Sequence, residues 1–196
     1  MKREFAALSH IRLRPQTGFD HPPHPPELIH LDSPARTVMT DFNFVHPVTI
    51  SPDASIDIAL QKMKTAGVRL LLVTNEADEI IGVVTARDIM GEKPIKIVEQ
   101  TRTQRSQIRV STVMTPQQHI DVLNMISVRN AEVGHIIETL RQLERQHILV
   151  VQVGSDGAQR VVGMFSTSRI SKLLGVDVTE EVPPAHSLAE MVQHIR

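Results

Sequence analysis

The hydrophobic positions of the chain change from a strand-like to a helix-like spacing and back, and this change of pattern occurs twice. In the first occurrence, residues 48–50 form a short apolar run typical of a strand. A helix is predicted next, because its apolar residues keep the spacing of a single helical face: Ile56, Ala59, Leu60 and Met63. Ser55 is the predicted N-cap of this helix, and Gly67 is the residue at which it is expected to end.

A hairpin and another helix complete this first unit. The apolar runs at 68–73 and 80–84 predict two strands, and the polar segment 75–79 between them predicts a turn. Residues 86–90 predict the helix that follows. The expected order is therefore strand, helix, strand, strand, helix.

A second unit with the same order is predicted downstream. Its elements are a strand at 127–128, a helix with Ile136, Leu140 and Leu143 on its apolar face, strands at 148–153 and 161–165, and a helix at 167–174. Corresponding apolar residues lie 80 positions apart as far as Val153 and 81 positions apart from Gly163 onward. One inserted residue is therefore predicted in the turn between them.

Two short peptides are duplicated along with the pattern. Thr-Val-Met-Thr occurs at 37–40 and at 112–115, and the tetrapeptide Gly82-Val83-Val84-Thr85 matches Gly163-Met164-Phe165-Ser166. A small sheet needs a partner for its open apolar face, so neither unit is expected to be stable alone. We predict one α/β module built from two pseudo-symmetric halves.

The two ends of the chain differ from these repeats. The predicted segments are an extended arm at 1–35, the first repeat at 36–96, a basic connection at 97–111, the second repeat at 112–176 and a tail at 177–196. The arm contains His-Pro-Pro-His-Pro-Pro at 21–26, which favours a polyproline-like conformation over a metal site because nothing there brings ligands together. In the tail, a capping box at 187–190 predicts a short amphipathic helix that docks on its own module or across a dimer. Its apolar stripe comprises Leu188, Met191, Val192 and Ile195.

Composition narrows the classes of function. The chain is 41% hydrophobic and 22% charged, which is typical of a folded domain. Its net charge of −1 gives no reason to expect a nucleic-acid or membrane partner. Cysteine is absent, which excludes disulfides, cysteine-based metal centres and cysteine nucleophiles. Since every apolar run is far shorter than a membrane helix requires, we expect a cytoplasmic protein.

The duplicated unit, the Val-Met-Thr before each copy, and the sequence Gly-Val-Val-Thr-Ala-Arg-Asp-Ile at 82–89 resemble a CBS-domain pair, also called a Bateman module. The resemblance covers about residues 36–175 and is closest to stand-alone proteins of bacterial type. It implies a regulatory module that binds AMP, ADP, ATP or S-adenosylmethionine in a cleft between the halves. It also implies a homodimer that signals to another chain, and exposed apolar residues such as Met90, Leu173 and Leu174 are expected to favour dimerisation.

The resemblance assigns nucleotide-binding roles to particular residues. Thr85 is expected to contact a phosphate or ribose oxygen, Asp88 to accept hydrogen bonds from the ribose hydroxyls, and Arg87 to face the phosphate. The adenine is expected near the main chain of His147 and Ile148. The alternative for Thr85 and Asp88 is an ordinary helix cap without a ligand.

The second copy of the motif departs from the family pattern. Arg169 replaces the aspartate, and a guanidinium has no acceptor for ribose hydroxyls. We expect Arg169 to pair with a neighbouring carboxylate, with phosphate binding through Ser166 and Arg169 as the alternative. The basic residues between the repeats are interpreted as a solvated linker rather than a phosphate-binding rim: Lys93, Lys96, Arg102, Arg105 and Arg109.

Catalytic motifs are missing from the sequence, so we do not expect an enzyme, a catalytic residue or a bound metal. Two hypotheses therefore remain. The first is a regulatory module that senses an adenine nucleotide. The second is a dimeric structural module without a physiological ligand. The sequence alone does not identify the nucleotide or the effector protein.

Overall fold

The computed structural model describes residues 28–178 together with Arg12 and Thr17. Most of the predicted arm and the predicted helix of the tail lie outside the described residues. In chain order the elements are β1 (Thr40–Asp41), β2 (Thr49–Ile50), α1 (Ile56–Ala66), β3 (Leu70–Thr74), β4 (Ile80–Thr85), α2 (Ala86–Met90), α3 (Glu92–Thr101), α4 (Val110–Val113), β5 (Thr115–Pro116), β6 (Val122–Asn124), α5 (Met125–Arg129), α6 (Val133–Gln142), β7 (His147–Val153), β8 (Gln159–Ser166) and α7 (Thr167–Leu174).

The first unit has the predicted order of elements. Helix α1 begins where the Ser55 side chain accepts a hydrogen bond from the backbone N–H of Ile58. It ends at Gly67, whose φ of 66° lies in the left-handed region that favours glycine. Its buried residues are Ile56, Ala59 and Met63. The predicted caps and apolar face of this helix are therefore confirmed.

The strand predicted at 127–128 is wrong. These residues lie in helix α5, which begins where the Asn124 side chain accepts a hydrogen bond of 2.9 Å from the backbone N–H of Ile126. Met125 and Val128, three residues apart, are the buried residues of this helix. The strand of the second unit, β6, comes just before it and pairs in parallel with β7.

Each half contributes one strand to the sheet of the other half. The first sheet has the order β2-β3-β4-β5, and the second has the order β1-β8-β7-β6. Strand β5 precedes the second unit but pairs with β4, whereas β1 precedes the first unit but pairs with β8. The two Thr-Val-Met-Thr peptides, which we call the crossing segments, therefore exchange between the halves.

The duplicated glycines make this exchange sterically feasible. A Cβ atom at Gly82 would lie 2.8 Å from the carbonyl oxygen of Thr115, and one at Gly163 would lie 2.7 Å from that of Thr40. Both distances are shorter than a carbon atom tolerates. A glycine is therefore required where each crossing segment pairs with the last hairpin strand.

Hydrophobic burial follows the same exchange. Val38 of the first crossing segment is fully buried in the core of the second half, whereas Val113 of the second segment is buried in the core of the first half. A third cluster joins the two sheets, with Leu72, Val83 and Leu149 among its buried members. Each half therefore completes its core with residues from the other half.

The spacing of 80 residues predicted between the halves is wrong. Leu70 pairs with Thr85, and His147 pairs with Ser166 in the same position of the second hairpin. Leu70 and His147 are 77 residues apart, whereas Thr85 and Ser166 are 81 apart, as predicted. The second hairpin therefore contains four additional residues instead of one, in a turn where insertions cost little.

The stretch after the first unit is more ordered than a solvated linker. Helix α3 occupies Glu92–Thr101, and Pro94 in its first turn is buried. Proline is tolerated there because the N–H groups of the first turn have no partner within the helix. No helix in the described residues is long and apolar enough to cross a membrane.

The apolar residues expected to face solvent behave differently from one another. Met90 is 62% exposed. Leu173 and Leu174 are instead partly buried against the core of the second half, so the expectation that they face water is wrong.

We predict that Gly163→Ala destabilises the protein by about 1–3 kcal/mol, because the added methyl must displace the backbone of Thr40. Thermal unfolding measures this as a lower Tm. The matched control is Gly134→Ala in helix α6, where a Cβ would make ordinary van der Waals contacts with the carbonyl oxygen of Leu31 at 3.6 Å and with its Cβ at 3.8 Å. The control should have an unchanged or raised Tm, since alanine favours a helix. Equal effects of both substitutions would contradict the steric explanation.

Candidate functional site

A cleft of about 720 Å³ separates the two halves where the end of β4 faces the turn before β7. Thr85, Arg87 and Asp88 line it from the first half. His147 and Ile148 line it from the second half. The structure thus brings together in one cleft all five residues that the sequence assigns to nucleotide binding.

Thr85 and Asp88 form the reciprocal cap of helix α2. The Thr85 hydroxyl accepts a hydrogen bond of 3.3 Å from the backbone N–H of Asp88. In return, Asp88 Oδ2 accepts from the Thr85 backbone N–H at 2.9 Å and from the Thr85 hydroxyl at 2.6 Å. The cap interpretation therefore describes this geometry correctly, and the cap also fixes the Asp88 carboxylate at the cleft wall.

Lys93 holds the other oxygen of the same carboxylate. Its Nζ donates to Asp88 Oδ1 at 2.5 Å and to the carbonyl oxygen of Val113 at 3.1 Å. The Asp88 side chain is 14% exposed, and the Lys93 side chain is 52% exposed. The lysine therefore connects the candidate site to a crossing segment. Lys93 cannot be distinguished from the other basic residues by its position along the chain, because only the turn at Gly91 brings it back towards Asp88.

His147 lies in an electropositive part of the cleft. Burial, and to a smaller extent the positive charges of Arg69 and Arg87, together lower the pKa of His147 from 6.5 to about 4. The imidazole is therefore neutral at pH 7. The two guanidinium groups also create a local field that favours an anion at this end of the cleft.

The family model of the CBS domain matches residues 35–94. Residues 35–94 are therefore similar to a CBS domain. The matched region contains Thr85, Arg87, Asp88 and Lys93. Because the second half repeats the same strand order around its own sheet, the described chain has the fold of a CBS pair. A comparison with curated protein sequences gives no match.

Solved structures with this fold include an uncharacterised conserved protein from Pyrococcus horikoshii. It is 20% identical with a TM-score of 0.51, and the match covers 74% of this chain and 93% of that protein. Protein MJ1225 from Methanocaldococcus jannaschii is 20% identical with a TM-score of 0.52, covering 71% of this chain and 49% of that protein. The structure of CBSX2 in complex with AMP is 20% identical with a TM-score of 0.48, covering 71% of this chain and 94% of that one. At these identities, the similarity to the first two structures shows the fold alone.

The second repeat uses its motif differently. The Ser166 hydroxyl caps helix α7 by accepting from the backbone N–H of Arg169 at 3.3 Å. The Arg169 Nε donates to the carbonyl oxygen of Val38 at 3.2 Å. The expected carboxylate partner of Arg169 is therefore wrong, since within the described residues the guanidinium bonds a backbone carbonyl.

This contact matches one in the first repeat. Val38 and Val113 occupy equivalent positions of the two crossing segments, and a cation near the motif bonds the carbonyl oxygen of each. In the first repeat, Asp88 and Lys93 share this task. In the second repeat, Arg169 performs it alone, and its guanidinium offers no acceptor.

The other basic residues between the repeats are divided between two roles. Lys96 lines the cleft and pairs with Glu92 at 2.8 Å. Arg105 donates to the carbonyl oxygen of Ile89 at 2.9 Å, and Arg109 pairs with Asp53 at 2.6 Å. These two arginines attach the connection to the first repeat. No group of three or more potential metal-ligating side chains occurs within the residues that the structure describes.

We predict that His147 makes stability depend on pH between about 6.5 and 4. The folded state depresses the pKa of His147 to about 4, so the unfolded chain takes up the proton first as the pH falls. The contribution of His147 to the free energy of unfolding is therefore constant above pH 6.5. It falls as the pH decreases towards 4, with a slope of at most about 1.4 kcal/mol per pH unit.

Denaturant unfolding at several pH values measures this slope. His147→Gln should unfold with a shallower pH dependence than the wild type over this interval. His119→Gln, at an exposed histidine of the same cleft, is the matched control and should keep the wild-type slope. Parallel curves for wild type and His147→Gln would refute the assignment.

Proposed function

We propose that the protein is a regulatory module that binds an adenine nucleotide in the cleft between its CBS repeats. One observation carries this proposal: Thr85 and Asp88 of the first repeat face His147 and Ile148 of the second across a single cleft of about 720 Å³. A cavity of this size accommodates a small-molecule ligand. The ligand class comes from the resemblance of the 82–89 motif to nucleotide-binding CBS pairs.

Each part of such a ligand has a complementary group in the cleft. The Asp88 carboxylate accepts hydrogen bonds from the ribose hydroxyls. Thr85 and Arg87 lie beside it and contact the phosphate, which the local positive field favours. The adenine lies against the main chain of His147 and Ile148, which forms the opposite wall. Ligand binding therefore connects the two halves directly.

The proposed role is regulatory rather than catalytic. A ligand that contacts both halves changes how they sit relative to each other, and an effector protein reads that change. The cysteine-free composition supports a location in the cytoplasm. The effector is proposed to be a separate chain.

A second candidate function is a structural module without a ligand. It is favoured by the completeness of the Asp88 contacts, since Thr85 and Lys93 already occupy both carboxylate oxygens. The replacement of aspartate by Arg169 in the second repeat also favours it. A thermal-shift panel with AMP, ADP, ATP and S-adenosylmethionine separates the two candidates. A ligand at 100 times its Kd stabilises the protein by about 2.7 kcal/mol, whereas the structural module shows no shift with any compound.

We predict that Asp88→Ala weakens nucleotide binding more than tenfold, because two hydrogen bonds to a charged group are lost, each contributing roughly 1.5–3 kcal/mol. Isothermal titration calorimetry measures the affinity. Arg169→Ala removes the residue at the equivalent position of the second repeat. It should lower the Tm through loss of the bond to Val38 but leave the affinity nearly unchanged. Wild-type affinity in Asp88→Ala would rule out the ribose assignment.

We also propose a homodimer. Ile58, Met90 and Ile95 are each more than half exposed, and they lie on α1, α2 and α3, where α2 packs against both neighbouring helices. Exposed apolar side chains on adjoining helices favour association. Light scattering at micromolar concentration should give the mass of a dimer, and Met90→Glu should shift it towards the monomer. A monomer mass for the wild type would contradict the proposal.

A further inference from the structure

The overall charge of the cleft does not select for an anionic ligand. Its lining contains four basic residues and four acidic ones: Arg87, Lys93, Lys96 and Arg145 against Asp88, Glu92, Asp121 and Glu144. The formal charges cancel, so any preference for a phosphate must arise from the local arrangement of groups. The arrangement around Asp88 is the one that a ribose must enter.

Asp88 has too few acceptor positions left for a ribose. A carboxylate offers about four acceptor positions. Three are already used, by the backbone N–H of Thr85, by its hydroxyl and by Lys93 Nζ. Two vicinal hydroxyls need two positions, so one existing partner must leave. The backbone N–H is fixed by the helix cap, which leaves the Thr85 hydroxyl and Lys93 as the movable groups.

Lys93 is the partner whose departure depends on the ligand. Its side chain is half exposed to the cleft and has a flexible stem. If Lys93 leaves Asp88, its ammonium loses its anionic partner. A ligand that carries a phosphate beside the ribose supplies a new anion at that point. A neutral nucleoside supplies none.

We propose that Lys93 makes the site selective for adenosyl ligands that carry a phosphate, over neutral adenosine and over S-adenosylmethionine. The latter carries a positive sulfonium where a nucleotide carries its phosphate, so it places a cation beside Lys93 and Arg87. The inference rests on the proposed function and narrows its ligand class. Lys93 occupies an acceptor position of Asp88 until the ribose displaces it. Only a ligand with an anionic group then gives the lysine ammonium a new partner.

At the equivalent position of the second repeat, no lysine changes its partner, because Arg169 stands where the first repeat has Asp88. Arg169 bonds the carbonyl oxygen of Val38 directly. This position therefore has a single cation in place of a carboxylate–lysine pair that a ligand could separate. The cation in the second repeat is therefore a fixed structural contact. In the first repeat, the same carbonyl contact is made through a lysine that also holds the ligand-binding carboxylate.

Calorimetry of the full chain with AMP, adenosine and S-adenosylmethionine tests the proposal. The wild type should bind AMP at least tenfold more tightly than the other two. Lys93→Met removes the charge at similar length. It should weaken AMP binding and strengthen adenosine binding, so that the ratio of the two affinities falls at least tenfold. Lys93→Arg should retain the preference for AMP.

Lys96→Met is the matched control, because Lys96 lines the same cleft but pairs with Glu92. It should leave adenosine binding unchanged. Equal wild-type affinities for AMP and adenosine, or an equal loss of both in Lys93→Met, would overturn the inference while the proposed function stands. If the wild type binds none of the three compounds, and neither ADP nor ATP, the proposed function itself fails. Circular dichroism of each variant shows whether a loss of binding reflects unfolding.

Discussion

The close approach of a crossing segment to a glycine is the contact on which the rest of the structure depends. The carbonyl oxygens of Thr115 and Thr40 lie so close to Gly82 and Gly163 that a Cβ atom on either glycine would clash with them. Because the segments can pass there, each extends the sheet of the opposite half by one strand. Their valines then enter the opposite core. The two halves are joined by backbone pairing and by burial, which a loosely tethered pair of domains would lack.

The same exchange brings a crossing segment into contact with the proposed ligand site. Val113 belongs to a crossing segment, and its carbonyl oxygen is bonded by Lys93, which also holds Asp88. A change at the carboxylate therefore reaches the contact between the halves through a single side chain. In the proposed function, Asp88 and Lys93 form an element with two arrangements that ligand binding would bias, as coupling between a site and a distant surface requires.

Local signals in the sequence predicted the fold well, and long-range ones predicted it less well. Helix α1 was predictable because Ser55 and Gly67 mark its ends by their own chemistry. Helix α5 was mistaken for a strand because a five-residue helix shows too little periodicity. The spacing of the repeats was wrong because apolar residues recur so often that several alignments match. Pairing across the hairpin fixes the register that composition leaves open.

The candidate site was predicted to a similar extent. Thr85 and Asp88 were found because the motif is contiguous, and the cleft brings them opposite His147 and Ile148 as expected. Lys93 was missed because its role depends on the chain turning back at Gly91, which the spacing along the sequence does not reveal.

The difference between the repeats gives the pseudo-symmetric pair a direction. In both crossing segments, a valine carbonyl accepts a hydrogen bond from a cation, so each half needs a cationic donor at this point. Arg169 meets this need with one side chain that has no acceptor. Asp88 and Lys93 meet it with two side chains of opposite charge, and such a pair is able to separate when each finds another partner. A site that responds to a ligand needs a pair that can separate, such as Asp88 and Lys93. A contact that stays the same when the ligand binds needs only a single cation, such as Arg169.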